Sequence, residues 1–98
     1  MSSIRHVLIR GRVQGVAYRA WMQMTALDLG LEGWVRNRRG GDVEALLKGP
    51  AEVIASMIDA CRRGPPGARV DGIVEREGLP AEMNVRRPGE RFSVAPTA

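Results

Sequence analysis

The hydrophobic period of this chain switches repeatedly between strand and helix, and that alternation constrains its fold more than any other feature. Residues 4–11 hold Ile4, Val7, Leu8 and Ile9 in a short run ending at glycine, the pattern of a first strand. From about residue 18 to residue 29 the pattern turns helical, with Ala20, Met24, Leu27 and Leu31 at steps of four, three and four and Trp21 beside them. Gly30 is a natural helix stop. Residues 32–37 and 43–48 read as two strands joined by the turn Arg38-Arg39-Gly40-Gly41-Asp42, a hairpin. Gly49-Pro50 opens a second helix whose apolar stripe is Val53, Ile54, Met57, Ile58 and Cys61. Glu52 sits at the positive end of its dipole and Arg62 and Arg63 at the negative end, before Gly64 and Pro65-Pro66-Gly67 stop it. Residues 70–76 make a fourth strand, with Val70, Gly72 and Val74 expected on one face. Residues 91–94 make a short last strand after the Pro88-Gly89 turn.

The order is β-α-β-β-α-β plus a short terminal strand. That is the ferredoxin-like sandwich, an α/β fold of the α+β kind with a mainly antiparallel sheet and two helices on one face. Lengths agree, because a helix of about 12 residues spans roughly 18 Å and a strand of about six roughly 20 Å. The chain has 98 residues, enough for a single domain over residues 1–98. Its core is expected over about residues 4–94, with a tail, 95–98, expected to fray. This fold hosts many functions, so function must come from a site.

Charge narrows the choices. Fifteen basic against eleven acidic side chains leave a formal charge of +4, which favours anionic partners. Lysine occurs once, at Lys48. The arginines cluster around turns: Arg10, Arg12 and Arg19; Arg36, Arg38 and Arg39; Arg62, Arg63 and Arg69. Their forked donors match phosphate or carboxylate. No apolar run approaches the roughly 18 residues that span a bilayer, and the start of the chain lacks a signal-peptide core, so the expected compartment is cytoplasmic. A lone cysteine, Cys61, cannot form an intrachain disulfide, and with a lone histidine, His6, it makes a poor zinc kit.

Two segments carry chemistry. Between Gly11 and Arg19 a strand ends, glycines let the backbone turn tightly, and a helix begins. Successive N–H groups there can point into one concavity and bind an anion, and Arg19, in the first helical turn, can reach the same hole. The loop lacks the Lys-Ser/Thr of a Walker loop and the three-glycine spacing of a dinucleotide fingerprint. On the residues alone, a structural strand-to-helix turn with an exposed arginine accounts for it as well. At the end of the second strand, Asn37 offers a donor and an acceptor in fixed directions, although asparagine is also common at turns for backbone reasons.

Taken together, the two segments are specific. Gly11-Arg12-Val13-Gln14-Gly15-Val16-Ala17-Tyr18-Arg19 resembles the first signature of the acylphosphatase family. Gly33-Trp34-Val35-Arg36-Asn37, with Gly41, Val43 and Gly49, resembles the second, in the right order and separation. The resemblance runs from about residue 4 to residue 94 and includes the fold. It implies hydrolysis of a carboxyl–phosphate anhydride to carboxylate and inorganic phosphate. By the same resemblance, Arg19 and the backbone amides of Gly15, Val16, Ala17, Tyr18 and Arg19 bind the phosphoryl group, and Asn37 positions the attacking water. No metal or cofactor is implied. The implied partner is a small acyl phosphate, acted on by a monomer, with neither nucleic acid nor membrane. Tyr18 departs from the family, which usually carries Phe or Met there; little effect is expected if its hydroxyl finds solvent or a partner.

The runner-up is a nucleic-acid-binding module on the same fold. It would stack bases on exposed sheet aromatics within a basic-aromatic motif, and that motif is absent. Cys61 reads as a packed thiol, His6 as a surface or packing residue, and Met22, Met24 and Met57 as core or core edge. Asp28, Glu44 and Asp59 read as isolated, solvated acids. Arg38 and Arg39 read as a solvated turn, with the second possibility that they steer anionic substrates.

Overall fold

The computed structural model describes residues 2–98. In chain order its elements are β1 (Ser3–Arg12), α1 (Tyr18–Asp28), β2 (Glu32–Asn37), β3 (Val43–Gly49), α2 (Ala51–Arg63), β4 (Arg69–Glu77), a 3₁₀ turn over Pro80–Val85, and β5 (Phe92–Val94). The strands form one five-stranded sheet in the order β4-β1-β3-β2-β5. Neighbours pair antiparallel except β2 and β5, which run parallel with Gly33 opposite Phe92. The expected mainly antiparallel ferredoxin-like sandwich is thus present.

Strand alternation explains the layers. Val7 and Ile9 of β1, Val35 of β2, and Val43, Ala45 and Leu47 of β3 join Tyr18, Met22 and Ala26 of α1 and Ile54, Met57, Ile58 and Cys61 of α2 in a single buried cluster. Both helices therefore pack on the same face of the sheet. The stripe of α2 is the one its sequence spacing predicts.

The face of α1 differs from expectation. Its buried residues are Tyr18, Met22 and Ala26, while Met24 is 62% and Leu27 44% exposed, and Ala20 also faces out. Apolar residues surround this helix almost completely, so spacing alone admits two stripes. The rings decide between them: Tyr18 and Trp21 carry the most apolar area and meet edge to face at 5.3 Å between centroids. Met24 is consequently not a core residue.

In β4, Val70 and Ile73 pack toward the core and Val74 is half exposed, so Val70, Gly72 and Val74 do not share a face. Pairing runs Arg10 opposite Gly72 and then Gly11 opposite Val70, which leaves Asp71 as an extra residue in a β-bulge. Gly11 makes that possible: a Cβ on it would lie 2.2 Å from the carbonyl oxygen of Arg69. The tail also departs from expectation. Instead of fraying, it continues along β2: Ala95 N–H donates to the Val35 carbonyl at 2.8 Å and Ala98 N–H to the Asn37 carbonyl at 3.1 Å.

Candidate active site

The segment between β1 and α1 turns on two left-handed residues, Gly15 at φ 75° and Ala17 at φ 61°. Glycine adopts this conformation without penalty, whereas for alanine it costs about 1–2 kcal/mol. Ala17 is the one non-glycine residue with positive φ among the described residues, so strain is concentrated here. Between the two, Val16 packs its side chain against the core. The turn delivers the chain into α1, which starts with the Ala17 carbonyl accepting from Trp21 N–H at 3.0 Å. No side chain caps this helix start, and no acidic residue lies in its first turn. Its first N–H groups and positive dipole end therefore have no side-chain partner at the helix start. Arg19 lies in that first turn, and among the described residues no carboxylate comes within ion-pair distance of it.

The sheet brings Asn37 to the same place. A cavity of about 270 Å³ is lined by Gly15, Ala17, Tyr18 and Arg19 from the loop and helix, by Asn37 from β2, and by Gln23 and Val94. Val16 is not in that lining, consistent with its inward side chain. The Asn37 Oδ1 atom is buried, and no described group donates a hydrogen bond to it. A larger cavity of about 630 Å³, between the start of α2 and the end of β4, contains none of these residues.

Gln14, to which the sequence assigned no role, joins the two halves. Its amide Nε2 donates to the carbonyls of Arg38 at 2.7 Å and Asp42 at 2.9 Å, clipping the loop to the mouth of the β2–β3 turn. Gln23 similarly donates to the Phe92 carbonyl at 3.0 Å, tying α1 to β5. Neither belongs to a periodic pattern, so no local signal marks them; only the position of Gln14 inside the first signature points its way.

The remaining candidates also have places. The Tyr18 hydroxyl donates to the Cys61 carbonyl at 2.5 Å, and burial pushes that phenol far above its ordinary range. Cys61 is fully buried and its thiol is pushed up to about 12, again by burial, as suits a packed thiol. Trp34 and Phe92 are buried, so these sheet aromatics offer no exposed surface for stacking bases. Glu44 corrects the reading of isolated acids. It is buried, with His6 held on one carboxylate oxygen at 2.7 Å and Arg36 on the other at 2.7 Å. Burial pushes its carboxyl up, the hydrogen bonds from His6 and Arg36 pull it down, and the net position is below the ordinary range. Among the described residues no three His, Cys, Asp or Glu side chains converge as a metal site, and no helix is long and apolar enough to cross a membrane.

Known proteins share this sequence pattern and this fold. The family described as Acylphosphatase matches residues 5–90. An acylphosphatase of Rhodopseudomonas palustris (strain BisB18) is 56% identical over 94 residues, covering 96% of this chain and 95% of that protein. One of Bradyrhizobium diazoefficiens is 55% identical over 95 residues, covering 97% and 96%. The crystal structure of acylphosphatase from Bacillus subtilis superposes with a TM-score of 0.82 at 35% identity, covering 97% of this chain and 99% of that one. A match over nearly the whole length, in sequence and in fold, makes this chain a member of the acylphosphatase family, hydrolases of acyl phosphates.

Proposed function

We propose that the chain hydrolyses small acyl phosphates by direct attack of a water held by Asn37 on a phosphoryl group held by Arg19 and the backbone amides of residues 15–19. The Asn37 Oδ1 atom accepts one O–H of the water, which leaves an oxygen lone pair facing phosphorus. As the new P–O bond forms, the bond to the acyl oxygen breaks and its electron pair departs on the carboxylate. Asn37 keeps no proton: both protons of the water end on oxygens of the phosphate product. A carboxylate is a good leaving group, so the reaction needs position and charge stabilisation more than a strong base. Positive charge comes from Arg19 and from the start of α1, and the reading assigns no step to a metal.

The observation that carries this reading is the buried, unpartnered Asn37 Oδ1 in a cavity shared with Arg19 and Gly15. A buried acceptor without a donor costs about 1–3 kcal/mol, and a bound water removes that cost. The test is hydrolysis of an aryl acyl phosphate with EDTA present. Asn37→Ala is expected to lose about 10²-fold in kcat with a smaller change in KM, and Arg19→Ala to lose both rate and binding. Full activity in either folded variant, or dependence of the wild type on added metal, would overturn it.

A further inference from the structure

On the sheet face opposite the cavity, one carboxylate holds both neighbours of Asn37. In the β2–β3 register Arg36 lies opposite Glu44 and Asn37 opposite Val43. Glu44 Oε1 accepts from Arg36 Nε at 2.7 Å and from Arg38 Nη1 at 3.5 Å. Its Oε2 accepts from His6 Nε2 at 2.7 Å, which fixes the carboxylate from the β1 side. Arg36 is pinned a second time, with its guanidinium 4.7 Å from the Trp34 ring centroid. The Glu44 side chain is only 12% exposed, so its short bonds to His6 and Arg36 are shielded from water, while the longer Arg38 contact lies at the exposed turn.

Alternation puts Asn37 on the other face from Arg36. The β2–β3 ladder, the Arg38 N–H bond to the Asp42 carbonyl at 2.8 Å and the Ala98 N–H bond to the Asn37 carbonyl at 3.1 Å hold the backbone around Asn37, and the grip on the side chains of residues 36 and 38 limits the twist left to its Cα–Cβ bond. Asn37 itself has no hydrogen bond at Oδ1 to hold its aim. We propose that Glu44 is a positioning residue for the hydrolysis, acting through Arg36 and Arg38 on the aim of Asn37 without touching substrate. This rests on Asn37 as the water-holding residue. It differs from a purely structural role, in which loss of Glu44 would lower stability and leave the kinetics of the folded enzyme alone.

The experiment measures kcat, KM and inhibition by inorganic phosphate for Glu44→Gln, Asn37→Ala and the double variant, with folding checked by circular dichroism. Glu44→Gln is expected to lower kcat about fivefold to tenfold, with KM and phosphate inhibition within about twofold of wild type. In the Asn37→Ala background the same substitution is expected to change kcat by less than about twofold, because the residue it acts through is gone. Wild-type kcat in folded Glu44→Gln, or an equal loss in both backgrounds, overturns the proposal alone. Wild-type kcat in Asn37→Ala overturns the Asn37 reading and this proposal with it. If Glu44→Gln does not fold, Arg36→Met breaks the same link and is judged by the same criteria.

Discussion

The hydroxyl of Tyr18 ends where a helix runs out of donors. In α2 the carbonyl of Cys61 would accept from the N–H of residue 65, but that residue is Pro65 and has none. Tyr18 supplies the missing donor. Tyr18→Phe is therefore expected to lower stability by about 1–2 kcal/mol in urea denaturation, with kcat close to wild type. A stable Phe variant would show that the carbonyl finds another partner. At this scale the sequence was legible where chemistry is local or carried by a signature: Arg19 and Asn37 stand in quoted motifs, and both line the cavity. The cap was not legible, because donor and acceptor are 43 residues apart and no local pattern links the two. Glu44 was misread for the same reason. Its partners come from β1 (His6), from β2 (Arg36) and from the turn that follows β2 (Arg38), and only the strand pairing brings them together.

Between elements, the alignment of α1 with the β2–β3 hairpin decides whether the site exists at all, and Gln14 spans that junction. Gln14→Ala is expected to lower kcat/KM about tenfold through lost alignment. Gln14→Glu is expected to do no better, since a carboxylate cannot donate to two carbonyls. A Glu variant with full activity would show that packing, not the two bonds, holds the loop. Element types and order were readable because strand and helix periods differ. Element orientation was less so. The helix α1 has apolar residues on most sides, and the bulge at Asp71 is a property of two strands rather than of either. The run along β2 from Ala95 to Ala98 likewise depends on backbone groups, which every residue carries, so composition could not announce it.

For the whole molecule, charge sets both encounter and acid tolerance. Arg38 and Arg39 are exposed on the turn next to Asn37, on a chain with a formal charge of +4. The rate constant kcat/KM is expected to fall as salt rises, with a flatter dependence in Arg39→Glu; identical slopes would remove any steering role. Glu82 holds the 3₁₀ turn against β4. Its carboxylate takes both Arg76 nitrogens, at 2.9 and 2.7 Å, and the Leu79 N–H at 2.8 Å. The Arg76 bonds, then the backbone bond, lower its pKa to about 2. A depressed carboxyl stabilises the fold above its unfolded value and loses that effect as pH falls through the folded one. The melting temperature of Glu82→Gln should thus lie below wild type at pH 6, and the gap should close between about pH 4.5 and pH 2. A gap independent of pH would place the effect in packing. The strand order has one more consequence, which concerns what the molecule does in company. An open sheet has two unpaired margins, and each is a template onto which another chain can add. Here one margin is β5, three residues long and prolonged by the tail that bonds to β2 as far as Ala98, and the other, β4, is nine residues long and carries Arg69, Asp71, Glu75, Arg76 and Glu77. A second copy arriving at β4 would have to dehydrate and align that row of mixed charges, so the long margin discourages fibre growth.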